Sequence, residues 1–164
     1  MESKNMIDIS EYEGLYKFDL DLNQVYSYYT DRYITNCLNH KNYYFVRLSK
    51  NNIRTKFYLH RLVYMCNNPT EDISLFEVDH IDNNPQNNNI ENLRVATRSD
   101  NQSNKKVHKN KLGIKYICKA QNGYRFQLIK NGIKYNKRFK NLQDAIDYRD
   151  IKVKEINGEF ANLG

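Results

Sequence analysis

The 164 residues carry 26 basic and 19 acidic side chains, a net charge of +7 and a pI near 9.2; this balance suits a partner bearing phosphates and argues against an acidic protein or a neutral metabolite. Three isolated cysteines, Cys37, Cys66 and Cys118, exclude a disulfide framework and a cysteine zinc clamp. No apolar run approaches the roughly 20 residues that span a bilayer and no leader-like start is present, so a soluble protein of a reducing intracellular compartment is expected.

Residues 1–55 balance seven basic against seven acidic side chains. They alternate aromatic or branched residues with polar ones in "GLYKFDL", "NQVYSYY" and "NYYFVRLS", and "RTKFYLH" continues the pattern to His60. A period of two predicts short antiparallel strands. "HRLVYMCN" then sets Leu62, Val63 and Cys66 at helical spacing, which predicts a short helix over 60–67 ended by "NNPT". His60 opens that helix and reads as a cap or a packed histidine.

Residues 56–104 reverse the charge, with four basic and seven acidic side chains. "LFEVDH" and "NLRVAT" read as strands joined by a long, lysine-free stretch of turn chemistry from Ile81 to Glu91. Asp79 and His80 end the first strand. Neighbours within a strand face opposite ways, but a frayed strand end can bring both to one target. The amides of the loop have an irregular backbone of their own to satisfy. Thr97 and Asp100 have the form of a capping box, which predicts a helix with Asn101 in its first turns. His40 and His108 sit in polar contexts and read as surface residues.

The basic excess lies wholly in residues 105–164, where fifteen basic side chains face five acidic ones. "QSNKKVHKNKL" reads as a basic linker beside phosphate backbone. From Gly113, "GIKYICKA", "YRFQLIK" and "IKYNKRF" predict three strands separated by "QNG" and "NG" turns. In "NLQDAIDYRDIKVKEI" Asn141 is the expected N-cap, Asp144 lies in the first turn, and Leu142, Ala145, Ile146, Tyr148 and Ile151 form the expected sheet-facing stripe. The fold class expected is α+β.

His80, Asn92 and Asn101 stand twelve and then nine residues apart, among "LHRLV", "VDHIDNNPQNN", "NIENL" and "TRSDN". This constellation resembles the HNH endonucleases of phages and mobile elements, whose unit is a ββα-metal finger. The resemblance makes His80 the general base, deprotonating the water that attacks phosphorus, a role a near-neutral imidazole suits. It makes Asp79 and Asn101 ligands of one divalent cation and Asn92 the brace of the loop. Oxygen donors imply Mg²⁺ or Mn²⁺, and asparagine instead of histidine as the third letter disfavours Zn²⁺; no structural zinc is expected. Arg61, Arg94 and Arg98 are candidate phosphate contacts.

The tail, through "NGYRFQLIKNGIKYNKRF", "NLQDAIDYRD" and "GEFANL", resembles an APETALA-type DNA-binding domain, which inserts a three-stranded sheet into the major groove. Tyr124 replaces that family's usual tryptophan, and Asn136 and Lys137 its usual "LG". With Tyr124, Phe126 and Leu128 facing the helix, alternation sends Arg125 and Gln127 to the open face, where they can read guanine and adenine. Lys115, Lys119, Lys130, Lys134 and Arg138 are candidate phosphate contacts. Near the start, "YEGLY" with Val25 and Ser27 resembles a small motif that precedes HNH modules.

The organisation expected is a β-rich nuclease-associated module over 1–57, an HNH core over 58–106, a linker over 107–112 and a DNA-binding domain over 113–164. The resemblance implies a homing-type endonuclease that hydrolyses double-stranded DNA to 5′ phosphate and 3′ hydroxyl ends, and one visible active site suggests a nick per bound monomer. No membrane or small-molecule partner is expected. The rival reading is a DNA-binding regulator that keeps a nuclease scaffold without catalysis. RNA as substrate is disfavoured because its major groove is too narrow for a sheet.

Overall fold

A computed structural model of the protein describes residues 5–105 and 110–164. Residues 1–4 and 106–109, which include His108 and the start of the expected linker, lie outside them. The fold is mixed α+β, as expected, with several small antiparallel sheets and few helices. The chain divides into two units, Met1–Val95 and Ala96–Gly164.

In the first unit β1 (Met6–Asp8), β2 (Tyr16–Asp19), β3 (Gln24–Ser27) and β4 (Arg32–Tyr33) form one antiparallel sheet in chain order. A second sheet joins β5 (Cys37–Leu38), β6 (Tyr44–Lys50) and β7 (Ile53–Tyr58). The turn between β6 and β7 is Asn51-Asn52, with φ of 51° and 64°; both residues adopt the left-handed geometry that a two-residue hairpin needs and that asparagine tolerates. Helix α1 (Leu59–Asn67) follows at once, close to the expected 60–67, and buries Leu59, Leu62, Val63 and Cys66. The hairpin of β8 (Glu77–His80) and β9 (Leu93–Ala96) completes the unit.

One hydrophobic core runs through these parts. Phe18 and Val25 of the first sheet, Val46 and Leu48 of the second, Leu62 and Val63 of α1, Val78 of β8 and Leu93 of β9 belong to a single buried cluster. Burial of that apolar surface supplies the main driving force, so the N-terminal strands and the β8–β9 hairpin depend on the same core.

In the second unit β10 (Ile117–Ala120), β11 (Gly123–Lys130) and β12 (Ile133–Phe139) form an antiparallel sheet, and α3 (Leu142–Asn157) packs on it through Phe126, Leu128 and Val153. Gly123 is required by close approach, since a Cβ there would lie 2.2 Å from the Phe139 carbonyl oxygen. Asn141 caps α3 as expected, its Oδ1 accepting from the Asp144 amide at 2.8 Å. The buried stripe differs from the expected one. Ala145, Arg149, Val153 and Asn157, spaced by four, turn inward, while Ile151 is 62% exposed. Six residues past Ala145 is about 240° round the helix, off the face that Ala145 sets.

Helix α2 (Arg98–Asn104) also belongs to this unit and begins with the expected capping box between Thr97 and Asp100. The Lys115 ammonium donates to the carbonyl oxygens of Ser103, at 2.7 Å, and Lys105 at the end of α2, and Asn162 Nδ2 donates to the Asn104 carbonyl at 2.6 Å. These donors satisfy carbonyls that a helix terminus leaves without partners.

Candidate active site

The end of β8 places three consecutive residues in buried positions. Val78 enters the core, while Asp79 and His80 are only 6% and 5% exposed. Asp79 Oδ2 accepts from Nε and Nη2 of Arg94, on the facing strand β9, at 3.2 Å each. The fork fixes the carboxylate and keeps a buried anion compensated.

His80 is oriented by Asn88, a buried loop residue whose Oδ1 lies 3.1 Å from Nε2. The amide's own orientation is set because its Nδ2 donates to the Gln86 carbonyl at 3.2 Å. An amide oxygen only accepts, so the neutral imidazole carries its proton on Nε2 and its lone pair on Nδ1. The ring packs beside His60 and Tyr43, with centroids at 5.0 and 5.8 Å. His60 also meets Tyr43 and Tyr58, at 5.4 and 5.7 Å.

His60 is therefore a packed histidine and not a cap; α1 is preceded by Tyr58, which makes no side-chain capping bond. Burial first, then the neighbouring His80 and Arg61, lowers its pKa to about 3. It therefore stays neutral at neutral pH.

The loop between the strands is held by its amides. Asn92 Nδ2 donates to Asp82 Oδ1 at 3.0 Å and to the Asn87 carbonyl at 2.8 Å, while its Oδ1 accepts from the Asp82 amide at 3.1 Å. Asp82 also accepts from the Asn84 amide and from Asn87 Nδ2, both at 2.8 Å. Burial acts to raise the Asp82 carboxyl, but these hydrogen bonds outweigh it and hold the pKa below the usual range. The loop's irregular backbone finds its partners within the loop.

The remaining predicted residues separate into two groups. Arg61 donates to the carbonyls of Phe76, at 2.9 Å, and Ile73, at 3.2 Å, and Arg94 is committed to Asp79, so both have structural partners instead of the expected phosphate. Lys130 binds Asp100 Oδ1 and lies 3.4 Å from Ser103 Oγ; like Lys115 it is only 8% exposed, and burial with internal partners keeps both ammonium groups from the expected phosphate contact. Burial lowers Lys115 to about 8, which leaves it charged at neutral pH against its carbonyl partners.

Arg98 is exposed on α2, and Asn101 is half-buried in the same helix. On the tail sheet the strand register puts Arg125 opposite Arg138 and Gln127 opposite Asn136, with Lys134 opposite Ile129. Because Phe126 and Leu128 point to α3, these residues occupy the other face, whereas Lys119, paired with Tyr124, belongs to the helix side at an exposed edge. Arg125 Nε is buried without a hydrogen-bond partner among the described residues.

Asn88, Asp82 and His60 escaped the sequence reading as site residues. Asn88 is one of three consecutive asparagines, and spacing does not say which turns inward. Among the described residues no group of three or more His, Cys, Asp or Glu side chains is arranged to hold a metal, and no helix is long and apolar enough to cross a membrane.

The HNH endonuclease family profile matches residues 57–103. An HNH endonuclease of Acanthamoeba polyphaga mimivirus is 36% identical over 107 residues, 65% of this chain; the chain spans 56% of that relative's length. Protein 3.8 of Escherichia phage T7 is 32% identical over 91 residues, covering 54% of this chain and 75% of that protein. The solved structure of the HNH homing endonuclease I-HmuI, a protein described as binding and cleaving DNA, aligns over 87% of this chain and 82% of its own at a TM-score of 0.57 and 23% identity, a likeness of fold.

Proposed function

We propose, from the match of residues 57–103 to the HNH endonuclease family, that the chain is a homing-type DNA endonuclease hydrolysing phosphodiester bonds with the help of one divalent cation. The observation that carries this reading is the His80 imidazole, held by the Asn88 oxygen so that Nδ1 carries the lone pair, on a loop braced by Asn92. In that role Nδ1 takes a proton from water while Nε2 keeps its bond to Asn88. The enclosing rings of Tyr43 and His60 limit the imidazole to one orientation, which lowers the entropic cost of reaching the reactive geometry.

Asp79 and Asn101 are the proposed metal ligands. One carboxylate and one carboxamide make a short, all-oxygen donor set, which fits Mg²⁺ or Mn²⁺ completing its shell with water and phosphate oxygens. Such an ion, held by Asp79 and Asn101, would supply stabilisation of the charge that develops at phosphorus and on the departing 3′ oxygen. The Arg94 fork holds the Asp79 carboxylate in place.

The tail sheet, read as an APETALA-like domain, is the proposed reader of double-stranded DNA, with Arg125 and Gln127 on base edges and Lys134 and Arg138 on phosphates. Lys119 and Arg98 are the exposed cations at its margins. The directly opposed Arg125 and Arg138 support this, since like charges across a strand pair are unfavourable until an anion arrives.

Incubating the protein with supercoiled plasmid in Mg²⁺ or Mn²⁺, beside EDTA and His80→Ala controls, tests the reading. Nicking is expected only with metal and the intact histidine. Binding without nicking under either ion would favour the regulator, a reading to which the Arg94 fork on Asp79 lends some support. Equal nicking by His80→Ala would remove His80 as the base.

A further inference from the structure

The first unit holds a groove of about 1050 Å³ between the β3–β4 and β6–β7 hairpins, away from His80 in sequence and in lining. Arg32 and Arg54 line it, together with hydroxyl and amide side chains that include Thr30, Thr35 and Asn52; Tyr29 stands at its edge with 89% of its surface exposed. Among the described residues no Asp or Glu lines it. Arg32 and Arg54 are exposed and make no hydrogen bond or ion pair among the described residues. The nearest acidic residue in sequence, Asp31, is turned to the Tyr26 hydroxyl.

The walls are preformed. Tyr16, buried in the first sheet, accepts from the Ser49 amide at 3.1 Å, and its hydroxyl is 3.3 Å from the Ser49 carbonyl in the second sheet. Each arginine then sits across its hairpin from a serine, Ser27 with Arg32 and Ser49 with Arg54. Lys50 also lines the groove and its ammonium binds the Glu11 carbonyl, whereas the two arginine side chains make no such bond among the described residues.

We infer that this groove binds the phosphodiester backbone of DNA, with Arg32 and Arg54 on phosphates and Tyr29 against a sugar or base. A carboxylate-free channel with two uncompensated guanidiniums concentrates anions. Guanidinium forks match phosphate oxygens, hydroxyls and amides add donors to them, and an exposed tyrosine offers a stacking surface that an acidic peptide does not need. The inference rests on DNA as the substrate but not on the nuclease chemistry, so binding is measured in EDTA with the full chain.

Labelled duplex and single strands of equal length are titrated against wild type and Arg32→Glu/Arg54→Glu over a salt series. The expected result is at least about tenfold weaker binding, with the slope of log affinity against log salt reduced by about two. Lys41→Glu/Lys154→Glu, the same change in net charge elsewhere, is expected to lose clearly less. A loss on the single strand joined by about a fivefold loss in Tyr29→Ala assigns the groove to an unpaired strand; a loss on the duplex alone assigns it to duplex backbone. Unchanged affinity and slope in the double variant, or poly-glutamate competing as well as DNA, overturns the proposal. If the reversed variant does not fold, Arg32→Gln/Arg54→Gln reads the same slope. Wild type that binds through the groove yet never nicks would sink the nuclease reading while leaving this one intact.

Discussion

At the scale of single residues, the orientation of His80 depends on an amide that no motif letter names. The Asn88 oxygen selects which ring nitrogen carries the proton, and a base must present its lone pair outward to accept one. Asn88→Ala is therefore expected to slow nicking by roughly tenfold or more, the scale on which such outer partners act, with metal-free DNA affinity unchanged. Asn88→Asp, which keeps an acceptor oxygen, should recover part of the rate. Single-turnover nicking equal to wild type in the alanine variant would give the orienting role to Tyr43 and His60. His80, Asn92 and Asn101 were named as candidates because their spacing resembles that of HNH endonucleases. Asn88 was not, since only the folded loop separates it from Asn87 and Asn89.

Among the elements, α2 shows how a helix can be begun by its own sequence and held by distant residues. Seven residues are too few for a helix to stand alone in water, and the Thr97–Asp100 capping box supplies only its start. Lys130 at the end of β11 adds the ion pair to Asp100, next to the proposed ligand Asn101. The pair is largely buried on the lysine side and partly open on the aspartate side, so Lys130→Met is expected to cost about 2 kcal/mol, below the full cost of breaking a buried pair. Urea unfolding with hydrogen exchange across Arg98–Asn104 checks this: α2 amides should exchange faster in the variant, and unchanged protection would show that Lys115 and Asn162 secure the helix. The capping box was readable from two letters three apart. The partners of Lys130 and Lys115 were not, because a lysine on a polar strand reads the same whether its ammonium meets water, phosphate or a carboxylate thirty residues away.

For the molecule as a whole, the distribution of charge is the quantity that affinity follows. Of the five tail residues expected to meet phosphate, Lys115 and Lys130 are used internally, and the open sheet face carries Arg125, Arg138 and Lys134. Arg125→Ala/Arg138→Ala is expected to lower the salt dependence of duplex binding by up to about two and to relax sequence preference. It should also leave the free protein as stable or slightly more so, because two facing guanidiniums no longer repel. Full affinity and an unchanged slope would move recognition away from this sheet. By itself the amino-acid sequence determined the α+β class, the strand and helix order, the capping residues and the motif spacing, because each is set by periodicity and by contacts only a few residues apart. Only the tertiary structure decided that the N-terminal strands and the β8–β9 hairpin share one core, that Asn88 faces His80, and which cations stay exposed. Those outcomes come from burial and from hydrogen bonds between residues far apart in the chain, and no local pattern of letters carries a record of them.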